Sequence, residues 1–170
     1  SKLVDVELPK ELVSIGSNAF ENCIALTAIE IPEKVKSIPS YAFNTCYALK
    51  RVVLPDGLYS IGQDAFNDCR VLEDISIPDT VRTIADYAFD GCRQLNHINI
   101  PNTVVRIGKS AFSSCGIEFI KIANGITDIG DSAFYLCEKL ESIEISSTVT
   151  NIGKHAFALC PYISWIKVDS

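Results

Sequence analysis

Apolar and polar residues along this chain follow a unit that returns every 23 residues. In the stretch from Leu26 to Phe43, Ile29-Glu30-Ile31 reads apolar, polar, apolar, the mark of a half-buried strand. Pro32 follows and ends it, since proline cannot donate to the next ladder position. Prolines recur in that slot at 9, 55, 78 and 101 and give way to Ala123, Ser146 and Asp169, so the stop is preferred rather than obligatory. An apolar pair spaced by three comes next, as in Val35/Ile38, Leu58/Ile61 and Val104/Ile107. That spacing predicts an extended piece that bends. Ala-Phe-x-x-Cys closes the unit and occurs seven times, with its cysteines at 23, 46, 69, 92, 115, 137 and 160. One step is 22 residues long, and the deletion falls at Cys115-Gly116-Ile117, just before a strand.

Gly16, Gly62, Gly108, Gly130 and Gly153 share the slot after the bend with Pro39 and Ala85. Proline holds φ near −65°, so positive φ is not what this slot demands; close backbone approach is the expected reason for glycine. Ser17, Ser40, Asp86 and Asp131 follow that slot and are predicted helix N-caps. A short helical turn would then carry Ala and Phe, the Ala at a site too tight for a larger side chain and the Phe filling the interior opposite the strand. Each coil thus sends about six large apolar side chains inward, worth roughly 1.5–3 kcal/mol apiece when covered. Parallel strands stacked about 4.8 Å apart predict eight rungs, the first at Leu3, Val6 and Leu8 and the last from Ile163 to Ser170.

A period of about this length with Leu and Ile at fixed offsets predicts a leucine-rich-repeat solenoid. The expected fold is an α/β right-handed superhelix, with a parallel sheet on one face and short helical turns opposite. Residues 1–170 are read as a single array of about seven repeats that starts and ends at a strand. Neither end carries the polar capping repeat that solenoids use. The expectation is therefore a segment of a longer protein, with end-to-end self-association through its uncapped ends.

Composition narrows the functional classes. Hydrophobic residues make up 48% of the 170 and charged ones 21%, too apolar for disorder, and no apolar run reaches the length of a membrane helix. The net charge of −6 disfavours nucleic acid and anionic membranes, which call for a basic stripe. An odd count of cysteines cannot pair completely. Equivalent cysteines on adjacent rungs would hold their Cβ atoms about 4.8 Å apart, against the ~3.8 Å of a bridge, and a linear column cannot surround zinc tetrahedrally. Buried free thiols are expected. His97 and His155 sit at different repeat offsets, on the strand and on the helical turn, and should lie on opposite faces. No catalytic triad, phosphate-binding glycine loop or paired-carboxylate signature is present, so no enzyme activity and no cofactor are expected. The carboxylates of Asp64, Asp68, Glu73, Asp74 and Asp79 lack the spacing of a calcium loop and read as a solvated acidic face. Tyr41, Tyr47, Tyr87, Tyr135 and Tyr162 share no single offset and read as half-buried packing.

The motifs L-x-x-I-x-I-P and V-x-x-I-G-x-x-A-F, with the recurrent Cys, resemble those of the BspA-like leucine-rich repeats over essentially the whole chain. The resemblance implies a secreted or cell-surface bacterial protein that acts in adhesion and in binding host or matrix proteins. It implies no catalytic, cofactor or metal-ligating residues.

Function is expected in what varies between repeats. The outward strand residues form two columns. The first reads Asp5, Ala28, Arg51, Asp74, His97, Phe119, Ser142, Trp165; the second reads Glu7, Glu30, Val53, Ser76, Asn99, Lys121, Glu144, Lys167. Aromatic and cationic residues on an exposed sheet are the types that make binding hot spots. Arg51, His97, Asn99, Phe119, Lys121, Trp165 and Lys167 are the candidate partner-binding residues. Trp165 has a second reading, as a cover for the end of the last coil, and Phe119 as compensation for the neighbouring deletion. The leading functional expectation is a non-catalytic protein-binding module. A structural spacer and a carbohydrate-binding accessory module are the alternatives.

Overall fold

The computed structural model describes residues 1–168, with the backbone alone at Asp74; Asp169 and Ser170 lie outside the described residues. Twelve short parallel strands build a solenoid. Six belong to the x-I-x-I segment: β1 (Ala28–Glu30), β3 (Arg51–Val53), β5 (Asp74–Ile75), β8 (Phe119–Ile122), β10 (Ser142–Ile145) and β12 (Trp165–Val168). Six belong to the V-x-x-I segment: β2 (Ser37–Ile38), β4 (Ser60–Ile61), β6 (Thr83–Ile84), β7 (Arg106–Ile107), β9 (Asp128–Ile129) and β11 (Asn151–Ile152). The second set forms one unbroken six-stranded sheet. The bent extended piece read from the sequence is thus a ladder in its own right.

The first set falls short of eight rungs. It forms two three-stranded sheets, β1-β3-β5 and β8-β10-β12. The rung at His97–Ile100 carries no assigned strand, and neither does the one at Leu3–Leu8. Ile98 is half-buried where its counterparts Ile29, Val52, Ile75, Ile120 and Ile143 are buried. The break lies in the coil just before the one-residue deletion. Strand length follows the proline slot. Strands before Pro32, Pro55 and Pro78 run two or three residues, whereas β8 and β10, before Ala123 and Ser146, run four. Ser146 shows why: its N–H reaches the Ile122 carbonyl at 3.1 Å, a bond proline cannot make.

The Ala-Phe turns are not helical, and no helix forms among the described residues. The residue before each Ala (Asn18, Tyr41, Asp64, Tyr87, Ser110, Ser132, His155) is left-handed, at φ of 51 to 62°. The residue before each Cys is left-handed too, at φ of 55 to 59° and, at Gly91, 76°. Only three residues separate the two, too few for the i→i−4 bonds of a helix. Instead the N–H groups alternate. Those of Ala19, Glu21 and Cys23 turn back three residues, to Gly16, Asn18 and Phe20, at 3.1–3.2 Å. Those of Asn18, Phe20 and Asn22 cross to the next coil, to Ser40, Ala42 and Asn44, at 2.9–3.2 Å. A third inter-coil ladder results. The predicted N-caps take a related role between coils: Asp86 Oδ1 accepts the Lys109 N–H at 2.8 Å and Asp131 Oδ1 accepts the Lys154 N–H at 2.7 Å.

The core runs through the coils as stacked columns. Phe20, Phe43, Phe66, Phe89, Phe112, Phe134 and Phe157 stack with centroids 5.3–5.5 Å apart and planes within 14°. Ala42, Ala65, Ala88, Ala111 and Ala133 are fully enclosed beside them. The glycine slot is a close approach at 62, 108, 130 and 153: a Cβ there would meet backbone or near-backbone atoms of the preceding coil at 2.4–2.9 Å. At Gly16 nothing lies within 4 Å. The cysteines are all free. From Cys46 onward each thiol donates to the Phe carbonyl of the coil before, as in Cys69 Sγ to Phe43 O at 3.3 Å and Cys115 Sγ to Phe89 O at 3.1 Å.

Candidate functional site

Alternation along β8, β10 and β12 sends Ile120, Ile122, Ile143 and Ile145 into the core and leaves their neighbours facing out. The parallel register then lines up the outward residues. Phe119, Ser142 and Trp165 stand opposite one another in one column, and Lys121, Glu144 and Lys167 in the next. Phe119 is 41% exposed and Trp165 46%. The small Ser142 stands between them, with the two aromatic positions two rungs or about 9.6 Å apart. Ile166, beside Trp165 on the same strand, is 51% exposed. Lys121 Nζ pairs with Glu144 Oε2 at 3.2 Å, which fixes the charge pattern of the second column. Exposed pairs of this kind contribute only ~0–1 kcal/mol, so their weight lies in orientation.

The other candidates stand apart from this group. Arg51 is exposed on β3 in the first three-stranded sheet. His97 and Asn99 are exposed on the unladdered rung between the two sheets. The structure therefore brings Phe119, Lys121, Trp165 and Lys167 onto one sheet and separates Arg51, His97 and Asn99 from it. His155 sits on the Ala-Phe turn, away from His97. Among the described residues no three His, Cys, Asp or Glu side chains converge as metal ligands would. Of the convex tyrosines, Tyr41, Tyr87 and Tyr135 are half-buried, whereas Tyr47 and Tyr162 are exposed. The Arg70 guanidinium lies 4.3 Å over the Tyr47 ring and Lys109 Nζ 5.5 Å over that of Tyr87.

One feature of the strand side escaped sequence reasoning. The N-terminal segment diverges from β1 and leaves a cavity of about 740 Å³ between them, lined by residues that include Glu7, Glu30 and Arg51. The alternation Leu3, Val6, Leu8 carries no signal of that divergence, because it matches an ordinary rung.

Comparison with known proteins accords with this architecture. A leucine-rich repeat protein from Bacteroides ovatus is 31% identical, covers 96% of this chain and has a TM-score of 0.58. The leucine-rich repeat protein of T. pallidum is 27% identical over 98% of the chain, with a TM-score of 0.66. The chain spans 54% of the first of these proteins and 70% of the second. No functionally curated protein matches it. The sequence profile of the BspA type leucine rich repeat region matches residues 1–73 and 59–170, in six copies. With its 23-residue coils and its matches at both levels, this chain belongs to the BspA-type leucine-rich repeat family.

Proposed function

We propose that this chain is a non-catalytic protein-binding module of a bacterial surface or secreted protein, and that it binds through its strand face. The observation that carries the proposal is the aligned pair of columns on β8, β10 and β12. Two large aromatic side chains and two lysines stand exposed there on a rigid sheet, whereas the same repeat positions outside β8, β10 and β12 hold no Phe, Tyr, Trp or Lys. Rigid display lowers the entropic cost of association, and several rungs meet a partner at once. Membership of the BspA-type family supports the surface location and the adhesive role in this reading. A screen of immobilised matrix proteins alongside a glycan array tests this. Saturable binding to a matrix protein supports the adhesion reading. Binding to glycans alone assigns the face to carbohydrate. Silence on both leaves the chain a spacer.

A further inference from the structure

The cavity at the N-terminal end of the strand face has the features of a peptide groove. Thr27 N–H donates to the Val4 carbonyl at 3.1 Å, and there the chain segment and β1 part company. Among the described residues no main-chain bond joins residues 5–8 to Ala28–Glu30. Thr27 O and Ile31 N both bond to the following coil, at Lys50 and Val53. By the two-residue alternation of a strand, the N–H and C=O groups of Ala28 and Glu30 face the cavity instead. β1 is thus a sheet edge with open main-chain groups, the template on which an extended peptide adds.

The walls state what kind of peptide. Four carboxylates line the cavity (Asp5, Glu7, Glu30 and Glu33) against two cations, Lys10 and Arg51. None of the four carboxylates has an ion-pair partner among the described residues. Between them, Val6 and Val53 supply apolar surface. The volume of about 740 Å³ falls within the ~300–1,000 Å³ range of ligand pockets.

The geometry points to β1 as the docking edge for an extended, basic peptide that alternates cationic and apolar residues. Its main chain pairs with Ala28 and Glu30, its cations meet the carboxylates, and its apolar side chains rest on Val6 and Val53. The inference rests on the strand-face proposal only in placing a partner on this side of the solenoid, and it uses none of the residues of β8 to β12.

The test uses a capped, fluorescent hexapeptide of alternating lysine and valine, and the same peptide with alternate amides N-methylated. Fluorescence anisotropy should show binding that falls about tenfold in E7K/E30K, that falls as much on N-methylation, and that is unchanged in F119A/W165A. Glu7 and Glu30 are exposed, so E7K/E30K should melt within a few degrees of the parent. Failure of the lysine–valine peptide to bind, equal binding by the N-methylated peptide, or equal binding by E7K/E30K overturns the proposal. Sedimentation velocity provides the remaining arm: a dimer of the chain that dissociates in E7K/E30K would make a second copy the occupant and overturn it too. Loss of matrix-protein binding in F119A/W165A reports on the C-terminal columns separately.

Discussion

Lys139 Nζ donates to Asn96 Oδ1 at 3.1 Å across two coils, passing over the coil between them. The intervening coil is the one that lacks a residue. There Gly116 lies so close to the coil below that a Cβ would meet the Arg93 carbonyl oxygen at 2.3 Å and Asn96 Oδ1 at 2.9 Å. The deletion thins the connection, and a side chain from the next coil spans it. Gly116→Ala should cost about 1–3 kcal/mol, the range of overpacking against atoms that cannot move aside. Lys139→Ala, at an exposed position, should change stability by less than about 0.5 kcal/mol. Urea unfolding of the two variants checks the contrast, and near-equal losses would refute this description of the connection.

The phenylalanine column predicts a gradient along the solenoid. Phe89 is fully buried and stacked on both sides, whereas Phe157 is partly exposed and stacked on one. Phe89→Ala should cost about 3–5 kcal/mol, and Phe157→Ala clearly less. Each coil depends on its neighbours for cover. The central variant should therefore also lower the cooperativity of thermal melting, seen as a broader transition by circular dichroism.

The thiols make stability sensitive to alkali. Burial pushes the Cys46 thiol up to about 12 and raises Cys69 and Cys92 well above the ordinary thiol range. In the unfolded chain these thiols ionise near 8.5. The folded state therefore holds protons that the unfolded state releases. The thiol contribution is fully present below about pH 8.5 and is lost as pH rises toward the folded value, by about 1.4 kcal/mol per thiol per pH unit. Urea midpoints under reducing conditions should fall between pH 9 and 11, and the fall should be shallower in C69A/C92A. Rapid native labelling of these thiols would contradict their enclosure.

Strands and interior columns were legible because the same residue types return at fixed offsets, and a period of two leaves one face for the core. Ile29, Val35, Ile38, Ala42 and Phe43 are all where that logic puts them. The turns were not, because Ser and Asp at the slot after the glycine suit a helix N-cap and a turn alike. The decisive signal lay one residue further on and again before each Cys. Eight of those fourteen left-handed positions are Asn, Asp, Ser or Gly, types that tolerate or favour that conformation or local turn hydrogen bonding. The columns of the strand face could be read in advance, since register follows from the period. The gap at His97–Ile100 and the divergence of residues 5–8 could not, because both depend on how a connection lies across its neighbours.

Paired binding and melting measurements on F119A/W165A decide whether the C-terminal strand face is a docking surface. The probe is whichever matrix protein the parent chain retains in the screen. Binding should weaken by about tenfold or more, as for exposed aromatic anchors, while Tm moves by no more than about 2 °C, as for surface substitutions. A large fall in Tm with binding unchanged would make Phe119 and Trp165 packing residues and contradict the assignment of function to this face.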